Sequence, residues 1–550
     1  MAGDVMLELQ SHLLEWLLDL PPAETRDVVV ERDLRVPMPD GEVLLADLHA
    51  PRDGKKRPLI LIRSPYGRTG AFGMLGRPFA ERGFSVLIQS CRGTFGSGGT
   101  LDPFRNEKTD GLATLAWLKE QPWFSGTLAT FGPSYLGFVQ WAIARDAGPM
   151  LGAMAPQITC SDFRAAKYPG ETFALDNMLG WTHLVHIQEK PFREHLLARI
   201  AARKTFAKAL THLPLAEADR LILGHRVEFF QQWLEHNTPN DPWWEPSTHS
   251  SAVPEVTAPV HFLSGFYDIF LPWQLRDYAA LVAAGRTPYL TLGPWSHTSS
   301  PLFKASLVES LAWFRAHLLG DRRHLREAPV RIYVTGSDQW REYPSWPPPG
   351  VRTERYYLQP NRGLAPKRAP TSPPDPYRYD PADPTPSVGG ALLSNESGPK
   401  DNRALEARRD VLTYTTPPLD HNVEVIGPVS AELFVRSSLP HTDFFVRLCD
   451  VDPSGRSVNL CDGILRVVPG RPAERPDGTL ALTLELWPTA HRFRRGHRIR
   501  VQVSSGAHPR YARNTGSGEP LGTATRLVAA DQLVHHDPER PSAIVLSVLG

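Results

Sequence analysis

The chain has 550 residues, too many for one hydrophobic core, because single cores stop growing at roughly 250–300 residues. Its 60 lysines and arginines balance 59 aspartates and glutamates, which leaves no basic field to collect phosphates and argues against a nucleic-acid partner. The apolar fraction of 41% is that of a globular protein, and no apolar run reaches the roughly 18 residues of a membrane span, so no membrane partner is expected.

The amino-terminal segment does not have the pattern of an export signal. A signal peptide begins with basic residues and continues as an unbroken apolar stretch, whereas acidic residues interrupt this segment at Asp4, Glu8, Glu15 and Asp19. The four cysteines are widely spaced and form no CxxC pair: Cys91, Cys160, Cys449 and Cys461. Without an export signal, such cysteines are expected to be buried, reduced thiols, and the protein is expected in the cytoplasm.

The first third of the chain alternates strand patterns with a helical pattern. Short apolar runs predict strands over 57–62, 84–89 and 127–131, and apolar residues at helical spacing predict a helix over 109–120. Runs that are apolar throughout are typical of strands buried on both faces of a sheet. The β-α-β order therefore predicts a mainly parallel sheet covered by helices.

The pattern changes between about residues 160 and 250, where the composition is helical and rich in aromatic residues. Strand patterns resume at 258–264, 288–292 and 330–335. A helical block inserted into an α/β series predicts a cap over the carboxyl ends of the strands, which is where such sheets bind ligands.

The last part of the chain is predicted to be a separate all-β domain. A proline-rich stretch covers 344–386, and beyond it strand patterns follow one another at short intervals with no helix between them. The sequence thus predicts an α/β domain in two parts (1–159 and 251–345), a helical cap (160–250) and a C-terminal β domain (346–550).

The sharpest local motif surrounds Ser134, in the stretch Gly132-Pro133-Ser134-Tyr135-Leu136-Gly137. A strand pattern precedes it and a helical pattern follows, which is the context of a nucleophile elbow, a turn so tight that the residues around the serine must be small. The second glycine stands three residues after Ser134 rather than two, so the motif departs from G-x-S-x-G. An ordinary structural turn is the alternative interpretation of this stretch taken alone.

A nucleophilic serine needs a histidine base and an orienting carboxylate, in the chain order Ser, Asp, His for an α/β-hydrolase. Asp268 and His297 each come just after one of the resumed strands, on the same edge of a parallel sheet as Ser134. Taken singly, an aspartate there is more often a helix cap and a histidine more often a structural residue. Their order and their two strand-end positions together favour a Ser134–His297–Asp268 triad.

An acyl-transfer site also needs donors for the developing oxyanion. The backbone N–H of Tyr135, directly after the nucleophile, is one candidate. The second donor usually comes from the loop after an early strand, here residues 63–68, which lacks a run of glycines but contains Tyr66. Its phenolic hydroxyl is a candidate donor, and the alternative is that Tyr66 only packs the loop.

At this point the sequence resembles a known family, the cocaine-esterase-like hydrolases and Xaa-Pro dipeptidyl-peptidases of peptidase S15 type, together with the α-amino-acid ester hydrolases and glutaryl acylases. The family elbow G-x-S-Y-x-G matches 132–137, and its oxyanion tyrosine lies in a P-Y motif, matched at 65–66. Its acid follows G-x-[YW]-D, matched at 265–268, and its histidine ends G-P-W-x-H, matched at 293–297. The loop at 92–99 is similar to the family's R-G-x-x-x-S-x-G. The resemblance covers nearly the whole chain and implies an α/β-hydrolase with an inserted helical cap and a C-terminal jelly roll.

The expected function is that of a serine hydrolase that cleaves carboxylic esters or amides through an acyl-enzyme. An Xaa-Pro dipeptidyl-peptidase or an acylase with the same triad is one alternative, and a non-catalytic, hydrolase-like binding protein is an alternative of another class. The expected partner is a small-molecule ester or amide, and a homo-oligomer is left open. No metal is expected, because the histidines of the β domain lack ligand spacing. No cofactor is expected either, because a serine triad needs none.

Three aromatic residues are candidates to line the acyl pocket: Phe173, Trp181 and Phe270. For Phe173 and Trp181, which lie in the predicted cap, the alternative role is packing in the interior of the cap. The two residues after Asp268, Ile269 and Phe270, are apolar, which favours uncharged acyl groups over α-ammonium groups. An amine would need a carboxylate instead, and the cap offers three: Asp162, Glu171 and Asp176.

Overall fold

The structure is a computed structural model that describes residues 11–191, 194 and 205–550. The first ten residues of the predicted first domain lie outside the described residues, as do residues 192, 193 and 195–204 of the predicted cap. Within the described ranges, no helix is both long enough and apolar enough to cross a membrane.

Ten strands in the first part of the chain form one mixed sheet. They are β1 (Val28–Pro37), β2 (Val43–Pro51), β3 (Arg57–Ser64), β4 (Ser85–Ser90), β5 (Phe124–Pro133), β6 (Leu151–Gln157), β7 (His261–Tyr267), β8 (Tyr289–Ser296), β9 (Val330–Val334) and β10 (Gln339–Tyr343). Their spatial order is β1-β2-β4-β3-β5-β6-β7-β8-β9-β10. Strands β3 to β9 pair in parallel, whereas β1 with β2, β2 with β4 and β9 with β10 pair antiparallel. The prediction of a mainly parallel sheet is confirmed.

The helices lie between the strands, as the β-α-β pattern predicts. They are α1 (Gly70–Gly73), α2 (Gly76–Ala80), α3 (Glu107–Lys119), α4 (Tyr135–Ala144), α5 (Phe163–Lys167), α6 (Leu175–Ile187), α7 (Ala218–Leu223), α8 (Glu228–Glu235), α9 (Leu271–Ala283), α10 (Ser300–Leu318) and α11 (Arg403–Glu406). Residues 11–18 and 205–211 are also helical. All ten residues of α4 are buried, as expected of a helix that is apolar on every face. It packs on β5 and β6, and α10 covers β5, β6 and β7.

A helical insertion separates β6 from β7, which confirms this part of the predicted fold. It contains α5 to α8 and short 3-10 turns at Pro169–Glu171, Leu215–Glu217, Pro242–Ser247 and Ser250–Glu255. Aromatic side chains form its interior: the ring of Trp233 lies 4.8 Å from that of Phe229 and 6.0 Å from that of Trp181. Buried aromatic rings contribute more apolar area per residue than other side chains, so a few of them stabilise this small unit.

The remaining strands form an all-β C-terminal domain, as predicted. They are β11 (Val351–Gln359), β12 (Gly363–Ala365), β13 (Asp375–Tyr379), β14 (Leu412–Thr415), β15 (Val423–Ser437), β16 (Thr442–Val451), β17 (Ser457–Val467), β18 (Leu480–Phe493), β19 (Arg498–Ser504), β20 (Ala530–His535) and β21 (Ala543–Leu549). Ten of them run in the order β13-β20-β15-β21-β11-β12-β14-β19-β16-β17, and β18 pairs with β15.

The all-β domain contacts both other parts of the molecule. Thr335, just after β9, receives a hydrogen bond from the Arg492 N–H (2.9 Å) and donates its own N–H to the Ala490 carbonyl (3.0 Å). On the other side, the N–H of Ala512 donates to the carbonyl of Phe173 in the insertion (2.8 Å). The hydrolase sheet, the insertion and the β domain therefore pack as one body around the carboxyl ends of the strands.

Candidate active site

Ser134 occupies the turn between β5 and α4 with φ 58° and ψ −122°. This is a strained conformation for a residue with a side chain, and it is typical of a nucleophile elbow. A Cβ atom at Gly132 would lie 2.4 Å from Cβ of Leu136, and one at Gly137 would lie 2.5 Å from Cγ2 of Thr159. Glycine is thus required at 132 and 137 but not at 136, which explains the displaced second glycine of the motif.

Asp268 and His297 are brought together at the ends of neighbouring parallel strands. Asp268 directly follows β7, and His297 directly follows β8. Asp268 Oδ2 lies 2.6 Å from Nδ1 of His297, and Oδ1 accepts a hydrogen bond of 2.8 Å from the N–H of Phe270. Because the carboxylate is fully buried and both oxygens have partners, its orientation toward the imidazole is fixed. A carboxylate on Nδ1 leaves Nε2 as the ring's acceptor.

The hydroxyl of Tyr66 lies beside Ser134. Burial raises the pKa of Tyr66 to about 12, and hydrogen bonds with Trp181 and Ser134 act in the opposite direction. Trp181 Nε1 donates to the Tyr66 hydroxyl at 2.9 Å. An indole N–H is only a donor, so the phenolic proton is available for another acceptor. Sequence reasoning assigned Trp181 to the acyl pocket and missed this polar contact.

The loop that carries Tyr66 is held from two sides. Gln188 Nε2 donates to the carbonyl of Pro65 at 2.9 Å, and the N–H of Tyr66 donates to Ser64 Oγ at 3.0 Å. Gly67 has φ 92°, and a Cβ there would lie 2.9 Å from the ring of Phe95. Glycine at 67 therefore allows the loop at 92–99 to approach the loop that carries Tyr66 closely. The P-Y motif at 65–66 and the glycine-rich motif at 92–99 are thus in contact.

The backbone and the side chain of Tyr135 have different surroundings. As the first residue of α4, it has an N–H with no acceptor within the helix, because the first four N–H groups of a helix lack one. The phenolic hydroxyl instead donates to Glu107 Oε1 (2.7 Å) and accepts from the N–H of Phe104 (2.9 Å). Glu107 also pairs with the buried Arg63 (2.9 Å). This buried network was not foreseen from the sequence, and it anchors the start of α4.

The three candidate pocket residues occupy different environments. The ring of Trp181 stacks on that of Tyr135, with centroids 6.1 Å apart and planes at 8°, and the ring of Phe270 lies 5.6 Å from that of His297. Phe173 is fully buried against Tyr168 (5.4 Å) and Phe230 (6.2 Å) in the interior of the insertion. Two of the three therefore adjoin the predicted catalytic residues, and Phe173 has a packing environment.

Two of the three cap carboxylates are engaged in local structure. Asp162 caps α5 by accepting from the N–H of Ala165 (3.1 Å), and Glu171 pairs with Arg164 (2.7 Å). Asp176, in the first turn of α6, is partly buried, and burial raises its pKa to about 6. A carboxyl group with this pKa is still mostly ionised at neutral pH, so the pKa does not count against an ion pair with an amine.

A tryptophan of the all-β domain reaches the predicted acid. Trp487, on β18, donates its Nε1–H to the backbone carbonyl of Asp268 at 2.8 Å, and its ring packs edge-on against Trp273 at 5.6 Å. The two residues are 219 positions apart in sequence, so no local pattern could have predicted the contact. The β domain thus helps to position the segment that carries the acid.

In the described residues, no group of three or more His, Cys, Asp or Glu side chains is placed to hold a metal ion. All four cysteines are free and buried, as predicted. A cleft of about 660 Å³ lies between the insertion and the β domain, lined among others by Tyr168, Leu210, Arg466 and His508. Ser134, Asp268 and His297 are not among its lining residues, so this cleft is distinct from the site.

Comparisons with known proteins agree with this architecture. Residues 40–299 match the model of the X-Pro dipeptidyl-peptidase (S15) family, and residues 324–545 match that of the X-Pro dipeptidyl-peptidase C-terminal non-catalytic domain. Cocaine esterase from Rhodococcus sp. (strain MB1 Bresler) is 33% identical over 569 residues, covering 94% of this chain and 98% of that protein.

Two solved structures share the fold over nearly the full length. An aminopeptidase from a marine sediment Thaumarchaeota archaeon superposes with a TM-score of 0.81 at 22% identity, covering 97% of this chain and 99% of that one. An α-amino acid ester hydrolase superposes with a TM-score of 0.80 at 21% identity, covering 96% and 98%. The predicted α/β-hydrolase fold with a C-terminal β domain is confirmed. The chain therefore belongs to the family of cocaine esterase and the X-Pro dipeptidyl-peptidases (S15), and it is a serine hydrolase.

Proposed function

We propose that this enzyme hydrolyses carboxylic esters through an acyl-enzyme formed on Ser134, with His297 as general base and Asp268 as the group that orients it. The observation that carries the proposal is the 2.6 Å contact of Asp268 with His297 Nδ1, at the same sheet edge as a serine held in an elbow conformation. In such a triad, the carboxylate fixes the imidazole tautomer and stabilises the imidazolium that forms.

The proposed reaction begins when Ser134 Oγ attacks the ester carbonyl carbon and His297 Nε2 takes the hydroxyl proton. The tetrahedral oxyanion accepts hydrogen bonds from the Tyr66 hydroxyl and the Tyr135 N–H, two donors held in place before the charge develops. The C–O bond to the leaving group then breaks, and His297 returns the proton to the departing alcohol. Water, deprotonated by the same imidazole, attacks the acyl-enzyme and regenerates Ser134.

The acyl side of the site favours groups without a positive charge. Trp181 and Phe270 adjoin the proposed catalytic residues, and two of the three cap carboxylates are already engaged, Asp162 as a helix cap and Glu171 in an ion pair. Burying a methylene stabilises a complex by about 0.8 kcal/mol, whereas burying an unpaired ammonium is strongly unfavourable. These features support an esterase over a dipeptidyl-peptidase, in which a free amine must be recognised.

Acyl preference provides a direct prediction. The p-nitrophenyl ester of phenylacetic acid is expected to have a kcat/KM about tenfold above that of phenylglycine, a difference of ~1.4 kcal/mol, because the two acyl groups differ chiefly in the ammonium group. Initial rates are measured for both at a pH that keeps the amine protonated. A clear preference for the amino ester, or an Xaa-Pro anilide as the best substrate, would contradict this assignment. Asp176 would then be the first residue to replace.

An active-site label separates this proposal from the alternative of a non-catalytic binding protein. A fluorophosphonate reacts only with an activated serine, so it is expected to modify wild-type enzyme on the peptide that contains Ser134 and to abolish ester hydrolysis in parallel. Mass spectrometry of the digested protein locates the adduct. Modification at another serine, or full activity after modification of Ser134, would refute the assignment.

The proposal extends to the domain boundary, the type of the β domain and the cellular location. The change from the first sheet to the second falls between Tyr343 and Val351, which supports a boundary near residue 345 and a β domain of the jelly-roll type beyond it. The four free, buried cysteines support a reducing compartment, in agreement with the proposed cytoplasmic location.

A further inference from the structure

The cleft of about 660 Å³ between the insertion and the β domain lies outside the proposed catalytic site. Cavities that hold small organic ligands in proteins have volumes of roughly 300–1,000 Å³ and combine apolar walls with a few polar groups. The apolar walls of this cleft come from both parts of the molecule: Leu175, Leu210 and Leu215 of the insertion and Leu465, Leu482 and Ala512 of the β domain. This interdomain cleft therefore has the size and the composition of a ligand site.

One cation that lines the interdomain cleft, Arg513, has no counter-charge. Its Nη1 donates to the carbonyl of Pro381 at 3.0 Å and its Nη2 donates to the carbonyl of Thr211, so both hydrogen bonds go to neutral groups. Burial lowers the pKa of Arg513, and within the described residues the only group that acts against burial is the phenol of Tyr379 rather than a carboxylate. A guanidinium has five N–H donors, so three remain for a ligand.

His508 also lines the interdomain cleft, near Arg513. It is only 7% exposed, and neither of its ring nitrogens makes a well-formed hydrogen bond within the described part of the chain. Burial, together with the charge of Arg513, lowers the pKa of His508 to about 4, so at neutral pH the imidazole is neutral and carries one N–H donor. Because buried polar groups in proteins are nearly always hydrogen-bonded, we expect this imidazole to have a partner inside the cleft.

The other arginines and carboxylates of the interdomain cleft are paired or exposed. Arg466 pairs with Asp443 at 2.9 Å, and Glu171 pairs with Arg164 at 2.7 Å. The remaining three are exposed to solvent: Arg471, Glu235 and Glu519. Arg513 is therefore the half-buried cation that a ligand in the cleft would neutralise.

We propose that the interdomain cleft binds a monocarboxylate with an apolar body, which places its carboxylate on Arg513 and His508 and its apolar part against the leucines. The planar carboxylate matches the fork of a guanidinium, and a single negative charge matches a single half-buried cation. The N–H of the neutral imidazole donates to a carboxylate oxygen as well. This site goes beyond the proposed esterase function, and neither depends on the other.

The test measures the binding of 2-naphthylacetate and 2-naphthylacetamide, which share an apolar body and differ in the charge of the head group. Isothermal titration calorimetry is performed at neutral pH on enzyme whose Ser134 carries a fluorophosphonate, so that neither compound can occupy the proposed acyl site. If Ser134 is not labelled, Ser134→Ala takes its place, so the test does not require the proposed function to be correct. One carboxylate is expected to bind per chain, with a Kd at least tenfold below that of the amide. Absence of binding, or equal Kd values, overturns the inference.

Arg513→Gln tests the head-group contact, because glutamine keeps an N–H donor but removes the charge. The Kd values of the two compounds are expected to become equal within about twofold. A matched control is Arg378→Gln, because Arg378 is an exposed arginine of the same domain that pairs with Asp531 at 2.7 Å and does not line the cleft. This control is expected to keep the wild-type preference. A preference for the carboxylate that survives in Arg513→Gln overturns the inference.

A second variant tests the apolar wall without a change at Arg513. Ala481 lies on β18, is exposed and lines the interdomain cleft. Tryptophan is favoured in strands, so Ala481→Trp is expected to fold while its ring occupies space in the cleft. The Kd of 2-naphthylacetate is expected to rise at least tenfold. An unchanged Kd in this variant overturns the location of the site, and this result decides the question even if Arg513→Gln does not fold.

Discussion

Ser134→Ala is expected to lower kcat for p-nitrophenyl esters by about 10⁶-fold, the scale on which loss of a triad nucleophile acts. The variant removes one oxygen, and alanine keeps the Cβ that already tolerates φ 58° at this turn, so the fold and its stability are expected to be retained. Residual catalysis of roughly 10³–10⁴ over water would survive through binding and the oxyanion donors. Initial rates and thermal unfolding of the purified variant check both statements.

Ser125→Ala is a matched control for this loss. Ser125 lies on the same strand, β5, is exposed and makes a long hydrogen bond of 3.4 Å to the carbonyl of Thr127. Its replacement is expected to leave kcat unchanged. Turnover by Ser134→Ala above about 1% of wild type, with contaminating enzyme excluded by the absence of fluorophosphonate labelling, would mean that another group is the nucleophile.

The positions of the predicted catalytic residues were accessible from the sequence because each is encoded locally. Ser134, Asp268 and His297 directly follow β5, β7 and β8. A short apolar run predicts each of these strands, so the residue that follows the run can be recognised in the sequence. Strand β6 was not predicted, since Gly152 and Pro156 interrupt its apolar pattern. Strand β1 was also missed, because its edge position leaves charged residues such as Glu31 and Arg32 exposed.

Contacts between distant segments could not be predicted in the same way. The hydrogen bonds of Trp487 with Asp268 and of Trp181 with Tyr66 join residues 219 and 115 positions apart. Such contacts depend on how the β domain and the insertion pack against the first sheet, and composition carries no signal for that packing.

The β domain matches a family domain that is described as non-catalytic, but in this structure it contacts the proposed site. Trp487 donates a hydrogen bond to the backbone carbonyl of Asp268, the proposed acid, and Arg510 lies 5.0 Å from the Trp487 ring. Arg510 is fixed in turn by a buried ion pair with Asp462, which also pairs with Arg447 at 2.8 Å. Since these groups are almost fully buried and mutually paired, the tryptophan has a rigid support, and the geometry of the acid depends on interdomain packing.

Tyr66→Phe is expected to lower kcat by about 10²–10³-fold with a much smaller change in KM, as for other losses of a single oxyanion donor. The pKa of about 12 keeps the hydroxyl protonated across the working pH range, and the N–H of Trp181 occupies its acceptor side, so its proton is free for the oxyanion. That contact exists only in the transition state, and interactions of this kind appear in kcat rather than in KM.

The phenylalanine ring keeps the packing of Tyr66 against Phe72 (5.3 Å) and Tyr135 (6.5 Å), so a purely structural role predicts nearly full activity. Tyr377→Phe is the matched control. Tyr377 is a buried tyrosine of the β domain whose hydroxyl bonds to Ser505 at 2.8 Å, and its loss is expected to lower the free energy of unfolding by about 1 kcal/mol without changing kcat. Steady-state kinetics of both variants, with urea unfolding alongside, distinguish the two roles. A kcat for Tyr66→Phe above roughly a third of wild type, far outside the loss expected for a missing donor, would assign Tyr66 to packing and leave the second oxyanion donor to be found elsewhere in the loop at 63–68.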